Sequence, residues 1–160
     1  MAKAVIADEA NSTDGLSRQA VSFFLHTFLA IAVWLGIMLA GYALNPVSVP
    51  QPAILAVSIL VPLIVGNIVA RFHASEHAVH VWLVGLIWLL IVCLWILDMP
   101  TGPNACQDCG ASEKLLRTLF SFPSPSGLID NNGPFLGTWP AAALMGYSLG
   151  ARLVARRKSG

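Results

Sequence analysis

The chain has 160 residues, of which 56% are hydrophobic and 11% carry a formal charge, for a net charge of +1. An ordinary soluble domain is about one-quarter charged, so this composition calls for a solvent other than water. The length suits one domain, and the small net charge gives no reason to propose nucleic acid as a partner.

In chain order, the opening stretch MAKAVIADEANSTDGLSR contains Asp8, Glu9 and Asp14 and lacks the basic start of a secretory signal. The apolar run behind it is too long for a signal h-region, so an uncleaved anchor is expected, preceded by a mobile cytoplasmic tail over 1–18. Between Arg18 and Arg71 no residue carries a formal charge. One crossing of a bilayer needs about 20 apolar residues, so this stretch can cross twice. The first predicted span is 19–44, closed by NPVSVPQP, because proline has no amide donor and disfavours helix in the residue before it. The second is 53–70, the third is 78–97, closed by DMPTGP, and the fourth is 134–154, followed by a basic tail over 155–160.

In hydrocarbon an unpaired backbone group is costly, so spans of this kind must be helices, and the short connections make consecutive ones antiparallel. The expected fold is all-α: an antiparallel four-transmembrane-helix bundle over 19–154 with one long external loop, 98–133. Of the nine lysines and arginines, only Lys114 and Arg117 fall on the loop side. The excess of positive charge places both termini in the cytoplasm of a bacterial inner membrane. Trp95 and Trp139 then mark the outer interface and Trp82 the inner one.

Small residues recur at four-residue spacing: Ala32, Gly36 and Ala40 in the first span; Ser58, Pro62, Gly66 and Ala70 in the second; Ala142, Gly146 and Gly150 in the fourth. Four residues is roughly one turn, so each stripe is a groove where another backbone can come close, either inside the monomer or in a dimer or larger complex. Pro62, inside the second span, removes one backbone hydrogen bond and should bend it.

Within the loop, SEKLLRTLFSF places Leu115, Leu116, Leu119 and Phe120 on one side of a helix and Lys114, Arg117 and Thr118 on the other, the pattern of a short helix lying on a membrane surface. The segment FPSPSGLIDNNGP behind it is turn-rich. Ahead of it stand Cys106 and Cys109 as CQDC. Such a pair can close a disulfide, exchange electrons or supply two thiolates, but zinc wants four ligands and no second pair exists. In an oxidising compartment the disulfide is the simplest outcome. The quinone-linked thiol oxidoreductases resemble this chain in having four membrane helices and an outward CxxC, yet they use a second external cysteine pair. Here the remaining cysteine is Cys93, inside the third span. A helix starting at Ser112 also lies too far beyond Cys106 to lower its thiol pKa through the helix dipole.

His73, His77 and His80 stand at i, i+4 and i+7 with Glu76 on the same flank, and imidazoles so grouped can hold zinc, copper or iron. HASEH also matches the H-x-x-E-H pattern of inverted zinc peptidases. The alternative is positional: Arg71, His73, Glu76 and His77 form the short cytoplasmic turn, where polar groups meet water without needing a ligand. Each span also brings a polar group to the cytoplasmic half: His26, Asn67, His80, and Tyr147 with Ser148. Buried polar groups in lipid face inward and pair. They can form an interhelical hydrogen-bond cluster, or His26 and His80 can ligate a haem from opposite sides.

The histidine in the first span, PLIVGN in the second, ARFHASEHAVHVWL leading into the third and TWPAAALMGYSLGAR at the end resemble the small four-helix family of the chloroplast inner-envelope translocon component and its bacterial relatives. That family's cytoplasmic turn carries His-Ala followed by a small and a polar residue. His73 and Ala74 match, Ala78 is a further candidate, and His77, His80 and the long loop depart. The resemblance implies a channel-like or scaffolding membrane component. The leading expectation is a non-enzymatic scaffold or accessory subunit that needs no cofactor, with the bilayer, other membrane subunits or a second copy of itself as partners. The alternatives are a thiol-disulfide oxidoreductase on Cys106 and Cys109, and a haem or metal protein.

Overall fold

In the computed structural model the described residues are 2–43, 50–73, 76–100, 106, 108–120 and 126–159. They form helix α1 (Ala2–Ala43), α2 (Gln51–Phe72), a 3-10 turn (Glu76–His80), α3 (Trp82–Asp98), α4 (Ala111–Phe120), a second 3-10 segment (Leu128–Asn131), α5 (Gly133–Leu136) and α6 (Thr138–Ser159). No strand occurs among the described residues. Three segments are long and apolar enough to cross a membrane: Ser17–Ala40 within α1, Pro52–Phe72, and Glu76–Asp98. Their bounds lie within a few residues of the first three predicted spans. Helix α1 runs back to Ala2, through the stretch expected as an N-terminal tail. Its first part, AKAVIADEA, holds four alanines with Lys3 and Glu9, strong helix formers, and no proline stops the helix in the weaker stretch that follows.

The fourth predicted span corresponds to α6, which is not among those three apolar segments. Its surroundings supply the reason. Ala141, Ala142, Ala143, Leu144, Tyr147, Ser148, Ala151 and Val154 are all buried, because α6 packs against α1, α2, α3, α5 and the first 3-10 turn. A helix wrapped by its neighbours has little need of bulky apolar side chains, and small ones let the neighbours approach. The three apolar helices show the reverse pattern: Phe24, Phe28 and Leu39 on α1, Leu60 and Ile64 on α2, and Ile87, Leu90 and Leu94 on α3 are exposed.

The tightest packing in the molecule joins α2 to α6. A Cβ on Gly146 would strike the carbonyl oxygen of Ile59, one on Gly150 that of Leu63, and one on Gly66 that of Tyr147. Ile59 pairs with Gly146 and Leu63 with Gly150; the two sequences advance together, so α2 and α6 run in the same direction. Against α6, α3 runs oppositely, with Gly85 beside Leu144 and Ala141 and Trp82 bonded to Ser148. α1 also opposes α6, with His26 on Tyr147. Two of the small-residue stripes therefore face each other inside the monomer. Pro62 is fully buried in this seam, and α2 runs unbroken through it.

Two apolar clusters fill the ends of the bundle. One gathers Ala30, Ala70, Ala78, Val81, Leu144, Tyr147, Ala151 and Val154. The other gathers Val92, Ile96, Leu119 and Leu128, with Leu115 and Ile129 packed against it. The second joins α3 to the segment that follows it, so the loop folds back over the end of α3. The turn into α5 passes through the left-handed region at Gly127 (φ 75°), Ile129 (φ 56°) and Asp130 (φ 48°). A β-branched residue is strained there, and the Ile129 side chain offsets that strain by packing on the second cluster.

Candidate functional site

At one end of the bundle α1, the C-terminus of α2, the first 3-10 turn and α6 converge on His26. The ring is 2% exposed, and its Nδ1 lies 2.7 Å from the hydroxyl of Tyr147, itself fully buried. The ring centres of His26 and His73 are 6.1 Å apart, and His77 stands within electrostatic reach of the same imidazole. His26 Nε2 is buried and has no partner among the described residues. An orphaned ring nitrogen in such a setting loses its hydration without replacement.

The other polar residues expected at this depth find separate tasks. Asn67 Nδ2 donates to the carbonyl of Gly150 at 3.4 Å, a second tie across the α2–α6 seam. Ser148 Oγ accepts from the backbone N–H of Trp82 at 2.7 Å, satisfying one of the free amides at the start of α3. His80 is exposed, with Nδ1 3.2 Å from the carbonyl of Glu76 in its own turn. The structure thus joins His26 to Tyr147 and sets His73 beside His26, with His77 in the neighbouring 3-10 turn, while Asn67, Ser148 and His80 are engaged elsewhere. Glu76 is exposed. Counting residues along a helix gives depth but not rotation about the axis, and rotation decided these pairings.

At the opposite end, Cys106 and Cys109 form a close pair with Cα atoms 5.4 Å apart. The sulfurs and a Glu113 carboxylate oxygen all lie within 4.8 Å of one another. Cys106 N–H donates to the carbonyl of Ser126 at 3.2 Å, tying the pair to the returning chain. Helix α4 begins at Ala111, so Cys109 stands closer to its N-terminus than Cys106 does.

The orientation of α4 departs from the surface-helix expectation. Lys114, Thr118 and Leu119 are buried, whereas Leu116 and Phe120 are exposed. The cause is the end of α3: Lys114 Nζ donates to the carbonyl of Leu97 at 3.2 Å and to that of Met99. A helix C-terminus carries unpaired carbonyls and partial negative charge, and a lysine ammonium satisfies both. Thr118 Oγ1 donates to Lys114 O at 2.7 Å and sits 2.7 Å from Ser126 Oγ. Ser126 Oγ in turn accepts from Leu128 N–H at 3.2 Å. Thr138 donates to the carbonyl of Leu119, and a Cβ on Gly133 would strike that of Thr118. Lys114 and this Thr–Ser network were the functional-looking residues that sequence reasoning missed. The i, i+4 pairing of Lys114 with Thr118 on one helical face was the available signal. Arg117, on the outer side, pairs with Glu113.

Between the two ends lies an apolar cavity of about 200 Å³ lined by Ile31, Trp34, Val84, Trp88, Phe135 and Leu136, among others. Trp34 and Phe135 rings are 5.3 Å apart, and Trp88 Nε1 donates to Leu136 O at 2.7 Å. The third small-residue stripe is open. Gly36 and Ala40 are exposed and Ala32 half-buried, and a Cβ on Gly36 would meet nothing within 4 Å. Compared with known proteins, the chain matches no family model, no curated protein and no solved structure.

Proposed function

We propose that this chain is a non-enzymatic multi-pass membrane protein that acts as a scaffold or accessory subunit, docking a helix of another membrane subunit or of a second copy on the outer face of α1. In this reading α6 crosses the bilayer with the three apolar helices, both termini are cytoplasmic, and the Cys106–Cys109 loop faces outward, where the pair closes a disulfide. The observation that carries it is the unequal use of the three stripes: those of α2 and α6 are spent on each other, and the Ala32–Gly36–Ala40 stripe is left open. Apolar surface alone would be satisfied by lipid, but a stripe of small residues walled by Leu35 and Leu39 on one side and Val33 and Ile37 on the other is a shape that another helix fills better than acyl chains do. The likeness to the four-helix translocon-component family points the same way. Purification in mild detergent followed by native mass measurement tests it: a species heavier than one 17.0 kDa chain is expected, and a bare monomer under all mild conditions contradicts it.

The close cysteine pair supports a second reading, a membrane thiol-disulfide oxidoreductase. Cys109, near the N-terminus of α4, is the better placed of the two to leave as a thiolate. Thiol trapping in intact cells separates the readings: a mixture of oxidised and reduced pairs favours the enzyme, and a permanently oxidised pair favours the structural disulfide.

A further inference from the structure

We propose that His26, His73 and His77 form a binding site for a divalent transition-metal ion of the zinc or copper class at the cytoplasmic end of the bundle, with Tyr147 as the group that orients His26. Nε2 of His26 is buried and has no partner among the described residues. Its other nitrogen, Nδ1, faces the hydroxyl of Tyr147 at 2.7 Å. When Nδ1–H donates to that hydroxyl, Nε2 is left as a bare lone pair held in a fixed direction. Histidines that bind metals are arranged this way, with the far ring nitrogen donating to an outer partner that sets tautomer and orientation.

The other two ligands come from separate elements. His73 closes α2, and its ring centre is 6.1 Å from that of His26. Two imidazoles on one tetrahedral ion, each with a metal–nitrogen bond of about 2.1 Å, have ring centres about 5 Å apart. His77, in the 3-10 turn, is within electrostatic reach of the same ring. His73 is exposed and His77 half-buried, so in the proposed site both turn toward Nε2 from outside the core. Three imidazoles and a water suit zinc or copper rather than calcium or magnesium, which take oxygen ligands. Such a site would tie the middle of α1 to the C-terminus of α2 and to the 3-10 turn that leads into α3. His80, bonded back to Glu76 and exposed, stands outside it. Among the described residues Cys106, Cys109 and Glu113 are the trio of metal-binding groups that already converges, but there the pairing of the thiols competes with a metal.

The test is titration of the full chain, purified in mild detergent without a polyhistidine tag, with Zn²⁺ under calorimetry. One equivalent per chain is expected, weakened by more than about tenfold in the combined His73→Ala, His77→Ala variant, and by about tenfold in Tyr147→Phe, the usual effect of losing an outer partner. His80→Ala should bind as the wild type does. Because His73 and His77 are not core residues, their variant folds even if His26→Gln does not. Absence of stoichiometric Zn²⁺ binding overturns the proposal, as does a double variant that binds as tightly as the wild type.

Discussion

Helices α1 and α2 are both long, apolar and striped with small residues, yet they are used differently. In α2 the stripe is covered: Gly66 lies on the backbone of Tyr147, and Ile59 and Leu63 meet Gly146 and Gly150 of α6. In α1 Gly36 and Ala40 are exposed, and a Cβ on Gly36 would meet nothing within 4 Å. The difference teaches that a stripe of small residues specifies close approach but not the partner; the partner is set by which other helix presents a matching groove. α6 presents one, and α2 fills it. α1 is anchored through bulkier contacts, the His26–Tyr147 bond and the Trp34–Phe135 ring pair, and these leave its own groove free.

The sharpest way to break this contrast is to block the covered seam. Gly150→Leu drives a side chain into the Leu63 carbonyl and is expected to cost about 3 kcal/mol or more. In detergent this should appear as loss of the folded monomer by thermal melting. Next comes the cap on α3. Lys114→Ala strips a buried donor from the carbonyls of Leu97 and Met99 and should cost about 2 kcal/mol, read as a lowered melting temperature and faster proteolysis of the loop. Tyr147→Phe removes one buried hydrogen bond at His26 and should cost about 1 kcal/mol, less than either. Smallest for the monomer is Gly36→Leu: with nothing to strike, it exchanges a poor helix former for a good one and is expected to raise stability by at most about 1 kcal/mol. Its effect should fall on assembly instead, lowering the native mass of the detergent-purified species.

The three apolar helices were legible because hydropathy and length are local properties, and a solvent of hydrocarbon makes few other demands. α6 was legible as a fourth uncharged stretch ahead of Arg152, although its own hydropathy is modest, and it carries the Ala142–Gly146–Gly150 stripe. The stripe also foretold a close-packed seam without naming α2 as its partner. The loop helix was found, but rotated: Leu115 and Leu119 face the second cluster as expected, while Lys114 and Thr118 take the inward places of Leu116 and Phe120. Amphipathic periodicity assumes that lysine seeks water, whereas Lys114 is drawn inward by the unpaired carbonyls at the end of α3, a group remote from it in sequence. The polar cluster was legible only as depth. His26 and Tyr147 pair as neighbours at one level, but His80 at a comparable level turns away, because its backbone belongs to a 3-10 turn rather than to the start of α3. The histidine run straddles two elements, so its regular spacing along one imagined helix does not survive.

The central claim is that another membrane helix lies in the α1 groove, and disulfide cross-linking in native membranes tests it most directly. In a chain freed of its other cysteines, Gly36→Cys and Leu35→Cys stand about 100° apart on the helix. With a matching cysteine scan on the partner helix, or between two copies of the chain, the account predicts efficient capture at 36 and little at 35. Equal capture at both positions, or none at 36, would contradict it.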